Sequence, residues 1–97
     1  MKPFSVLQDD LRTCFVTGST NVAIHHIFPG KGRRKKCERY GFLVALEPRY
    51  HNMSSYSVHA VPNAGLDLQL KQMAQTYFEG HYGTREAFIK EFGRSYL

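Results

Sequence analysis

Cysteine is scarce in this chain. Its 97 residues include two, Cys14 and Cys37, and neither belongs to a CxxC pair. A four-cysteine zinc site is thereby excluded. Two isolated thiols in a small basic protein fit a reducing compartment. Long apolar runs are missing as well. No stretch approaches the roughly 20 apolar residues that cross a bilayer. Met1–Thr13 holds no apolar core of signal-peptide length. A soluble, cytoplasmic protein with no membrane partner is the expectation. Repeats, low-complexity tracts and linker-like segments are also lacking, so one domain over 1–97 is expected. A domain this short is often helped by a metal, a disulfide or a partner subunit. Acidic residues are outnumbered by Lys and Arg, 8 to 13, giving a net charge of +5. That imbalance favours a polyanion, nucleic acid ahead of an acidic membrane surface. With 42% hydrophobic residues, the chain is too apolar to be wholly disordered.

Several short elements can be read from what is present. Cys14–Thr17 is a strand-like run stopped by turn-forming Gly18–Asn21. Val22–Phe28 is β-branched and aromatic and predicts a strand. Pro29-Gly30 ends it. Residues 30–40 predict a basic loop, holding Lys31, Arg33, Arg34, Lys35, Lys36 and Arg39. Phe42–Leu46 is a continuous apolar run of strand length. The two strands suggest an antiparallel hairpin. Pro48 suits the first turn of a short helix carrying His51 and Asn52, because its missing N–H does no harm there. Residues 53–65 read as irregular. Leu66, Leu70, Met73, Ala74, Tyr77 and Phe78 share one helical face, punctuated by Gly80 and Gly83. Thr84 suits the N-cap of a last helix, with Glu86 near its positive end and Phe88, Ile89 and Phe92 as its apolar face. These helices either pack on the hairpin or form a homodimer.

The histidines are the candidate chemistry. His25, His26, His51 and His59 lie on both sides of the basic segment. Adjacent residues on a strand point to opposite faces, so His25 and His26 take different jobs. One can face a metal and the other a substrate. A metal stabilises charge developing on a scissile phosphate. A neutral imidazole, with an ordinary pKa near about 6.5, can take a proton from the attacking water. His81, between glycines at a helix end, reads as a surface histidine favoured by the C-terminal dipole. Cys37 sits among cations that would lower its pKa. Glu47 and Arg49 flank the helix start, where either could assist the site.

The order strand, HHI, Pro, basic segment, apolar strand and HN resembles the HNH, or ββα-metal, endonuclease family. The segment from His25 to Leu97 also resembles small phage and prophage proteins of that kind. The shared pattern is HHIF-x-G, RRK with YGF downstream, HN followed by VH, and FGRSYL. The resemblance implies an α+β fold, a ββα-metal hairpin-plus-helix core over about 13–60 with two C-terminal helices over about 65–97. It implies a metal-dependent endonuclease hydrolysing phosphodiester bonds in DNA. His26 would be the general base, and His25, His51, Asn52 and His59 would hold one divalent ion, Mg, Mn, Ni or Zn. A site so rich in imidazole favours transition metals over Mg²⁺. Arg33, Arg34 and Lys35 would contact the nucleic-acid backbone. The chain departs from the pattern in three places. Thr17 stands where a second cysteine would follow Cys14. Gly41 stands where an Asn usually supports the base. His59 follows His51 by eight residues, which does not place both on one helical face. The alternative expectation is a catalytically weak or inactive DNA-binding accessory protein of phage recombination or packaging. A structural zinc module is a third.

Overall fold

The computed structural model describes residues 3–97. Its elements run β1 (Ala23–His26), α1 (Arg33–Tyr40), β2 (Leu43–Leu46), α2 (Pro48–His51), α3 (Gly65–His81) and α4 (Arg85–Phe92). The fold is α+β, with a two-stranded antiparallel sheet and four helices among the described residues. The expected hairpin is present, with Ala23 opposite Leu46 and His26 opposite Leu43. Every residue of β2 is buried, as its unbroken apolar run requires. The strands are shorter than expected. Ile27 and Phe28 leave β1 to enter the core, both essentially inaccessible.

Two element assignments need correction. The basic segment is not a loop: Arg33–Tyr40 is a helix. Its residues include no β-branched side chain, and most are good helix formers. Gly41, at φ 78°, ends the helix and donates its N–H to the Cys37 carbonyl. Such a left-handed cap favours glycine. A side chain at Gly41 would also collide with the Phe4 ring. Cys14–Thr17, expected as a strand, forms a turn instead, closed by Gly18 N–H to Cys14 O at 2.9 Å. Only Phe15 bonds toward the sheet, donating to Ala45 O at 2.7 Å. Gly18, at φ 78°, turns the chain away before a ladder can form.

The C-terminal helices pack inward on this unit. Phe28, just beyond β1, lies 4.4 Å from Phe92 and 5.6 Å from Phe88, centroid to centroid. Phe42 and Phe78 join the same cluster. Aromatic pairs at such distances add to the benefit of burial. Leu70, Ala74 and Phe78 are the buried side of α3, whereas Met73 is exposed. Gly80 lies inside α3 rather than ending it. Thr84 caps α4 as expected, its hydroxyl accepting Ala87 N–H at 3.1 Å. Ile89, expected on the buried face, is 38% exposed, because Phe88 and Phe92 occupy that face.

Polar contacts fix the ends. In the first turn of α3, Asp67 accepts Asn63 N–H at 2.6 Å and pairs with Lys71 at 2.8 Å. Lys71 also donates to Asn63 Oδ1 at 2.8 Å. Both charged groups are buried, and a buried charge requires such partners. Gln75, fully buried, donates to Ser95 Oγ and accepts Tyr96 N–H, which ties the tail to α3. No helix among the described residues is long and apolar enough to cross a membrane.

Candidate metal centre

Strand alternation separates the adjacent histidines. His25 is buried at 3% exposure, while His26, on the other face of the strand, keeps 16% of its side chain exposed. Pro48 starts α2 directly after β2, and the helix carries His51 on its last position. The third histidine arrives by a returning loop. Val58 N–H donates to Tyr50 O at 2.9 Å, and His59 N–H donates to His51 O at 3.2 Å. Buried Ser57 and Val58 anchor that return. The eight-residue spacing is thus closed by backbone pairing, not by a shared helical face.

The three rings form a small triangle. Centroids lie 5.3 Å apart for His25 and His51, 5.2 Å for His25 and His59, and 4.6 Å for His51 and His59. One ring nitrogen from each falls within 4.8 Å of the others. The Nε2 atoms of His51 and His59 stand 3.0 Å apart. Tetrahedral zinc with bonds of about 2.0–2.1 Å sets ligand nitrogens roughly 3.3 Å apart, close to the His51–His59 spacing. His25 Nε2 is buried with no hydrogen-bond partner among the described residues. An orphaned buried nitrogen is costly unless something coordinates it.

The electrostatics favour neutral imidazoles. Burial, then the neighbouring His51 and His59, pushes His25 down to about 3. Burial and His59 lower His51 as well. Neutral imidazole is the form that binds a metal. The three histidines could therefore form a metal-binding group.

An open cavity of about 290 Å³ lies over this group, lined by Ile24, His25, His26, Pro29, Arg34, His51 and His59. No carboxylate of the described residues lines it, and Arg34 supplies a cation, so the cavity suits an anion. His26 shares the cavity, and its Nε2 meets Glu38 Oε2 at 2.9 Å. Glu38 was not legible in the sequence, because only the helical form of 33–40 brings it to β1.

Other expected residues fall elsewhere. Asn52 caps α2, exposed, and does not line the cavity. Arg33 packs over Gly93, where any added side chain would collide with its guanidinium. Lys35 is exposed outside the cavity. Lys36 pairs with Glu91 and donates to its carbonyl at 2.9 Å. Glu47 binds Arg49 and accepts the Thr17 hydroxyl at 2.8 Å, which ties the 14–18 turn to α2. His81 is exposed and stacks on Tyr77 at 3.9 Å. Cys37 reverses its expectation: burial raises its thiol to about 11. Its neighbouring cations point to solvent or to α4, while the sulfur faces Phe28. No family model, curated protein or solved structure matches the chain.

Proposed function

We propose that the protein is a metal-dependent phosphodiesterase of the ββα-metal type, acting on nucleic acid, with DNA as the expected substrate. The observation that carries this reading is the convergence of His25, His51 and His59 beneath a cavity shared with His26 and Arg34. Three imidazoles without a carboxylate favour Zn²⁺, Ni²⁺ or Mn²⁺ over Mg²⁺. When bound, the ion supplies a positive charge that stabilises negative charge on the phosphate and leaving oxygen.

The chain's own groups do the rest. Arg34 holds a phosphate oxygen at the cavity wall. His26 accepts a proton from water as the water oxygen attacks phosphorus. The P–O bond to the leaving oxygen breaks, and that oxygen takes a proton from solvent. His25, His51 and His59, kept neutral by burial and by each other, hold the ion. The net charge of +5 draws the polyanion toward the site and makes binding salt-dependent.

The experiment is plasmid and RNA cleavage with Zn²⁺, Ni²⁺, Mn²⁺ and Mg²⁺, for wild type and His26→Ala. Wild type is expected to cleave with at least one transition metal. His26→Ala should keep metal binding and lose about 100-fold or more in rate. Undiminished cleavage by His26→Ala removes the base. Salt-sensitive DNA binding with no cleavage under any metal overturns the enzyme reading in favour of an accessory protein.

A further inference from the structure

We propose that Glu38 is the positioning residue for His26. Its carboxylate accepts the imidazole Nε2–H and leaves the Nδ1 lone pair as the ring's free base. The role of that base rests on the reading above.

The chemistry of the pair favours the assignment. The two side-chain atoms lie 2.9 Å apart. An ionised carboxylate only accepts hydrogen bonds, so Nε2 must carry the proton. His26 makes no other ring hydrogen bond among the described residues. In the neutral ring, a proton on Nε2 leaves the lone pair on Nδ1, the nitrogen that a general base needs.

The placement of Glu38 separates it from the metal ligands and from the core. It does not line the cavity, and it is absent from the histidine group. Its side chain is 54% exposed, so the fold does not depend on its burial. The helix beneath it is firmly held. Cys37, its neighbour, is fully buried and bonded to Phe28, and Lys36 clasps Glu91 of α4. A rigid helix thus presents a solvated carboxylate to one nitrogen of a cavity-lining imidazole.

The test uses the full chain loaded with Zn²⁺, comparing wild type, Glu38→Ala and Glu38→Gln. Glutamine keeps an oxygen acceptor for the same N–H, whereas alanine removes it. In proton NMR at low temperature, the His26 Nε2–H should appear downfield in wild type and Glu38→Gln. It should vanish by solvent exchange in Glu38→Ala. With plasmid substrate, Glu38→Ala should lower kcat by about 10- to 100-fold, with KM and zinc affinity unchanged. Glu38→Gln should recover most of that loss. An Nε2–H resonance that is the same in Glu38→Ala as in wild type overturns the proposal, and so does an unchanged kcat. A wild type that cleaves nothing defeats the nuclease reading alone, and the NMR comparison still decides the role of Glu38. Cleavage by wild type and Glu38→Ala at equal rates defeats Glu38 alone.

Discussion

Acid should weaken the metal-free fold through one buried ring. His25 is 3% exposed, and its pKa is held down to about 3 against an ordinary 6.5. Between these values the unfolded chain binds a proton that the folded chain refuses. Stability from this group is therefore complete above about 6.5 and is lost as pH falls toward 3. At pH 5 the unfolded imidazole is about 1.5 pH units below its own pKa, worth about 2 kcal/mol. His51, also lowered, adds a loss of the same sign. Asp10, Glu47 and Glu79 are lowered too, from ordinary values of 3.8 to 4.5, so their losses begin at lower pH. The control is His25→Phe, which keeps an aromatic ring and cannot titrate. Urea unfolding in EDTA, at pH 7.5 and pH 5, reads the effect by circular dichroism, since the chain has no tryptophan. Wild type should lose about 2 kcal/mol more than His25→Phe, a difference of roughly 1–2 M in urea midpoint. Equal losses in the two proteins would refute the claim that His25 is buried neutral.

Three further outcomes are expected. Zn²⁺ at about 100 times its dissociation constant should stabilise wild type by about 2.7 kcal/mol, raising Tm by roughly 10–20 °C; His25→Ala, His51→Ala and His59→Ala should each abolish most of that rise in a thermal melt. Lys71→Met should cost about 3–5 kcal/mol by stranding Asp67, and Lys71→Met with Asp67→Leu should recover much of it in denaturant titration. Arg34→Ala should weaken DNA binding and its salt dependence at unchanged Tm, while Arg33→Ala should lower Tm with a smaller effect on binding; the reverse pattern would misassign the two.

The sequence made some of this architecture legible and hid the rest for identifiable reasons. The hairpin strands, Pro48 at the start of α2 and Thr84 at the cap of α4 are local signals, and each was found. Helix α1 was not, because Cys37 and Tyr40 are its only apolar residues. A helix that buries one thiol shows no hydrophobic period. Glu38 was hidden with it, since its approach to His26 depends on that helix. His25, His51 and His59 were nameable from their order and type. Their convergence was not, because the return of His59 depends on backbone bonds to Tyr50 and His51. Asn52 was expected by adjacency to His51, but the end of α2 turns it toward solvent. The Asp67–Lys71–Asn63 network and the Gln75 clasp on the tail join residues whose types alone suggest a solvated surface.

Helix α1 also constrains how the chain can change. Lys36, Cys37 and Glu38 are consecutive, and they serve α4, the core and His26 in turn. Successive helical residues differ in direction by about 100°, so these three contacts share one rotational phase. Inserting or deleting a single residue between Gly32 and Lys36 would turn all three away from their partners together. Length variation should be rejected within this short helix, despite its polar and outwardly permissive composition.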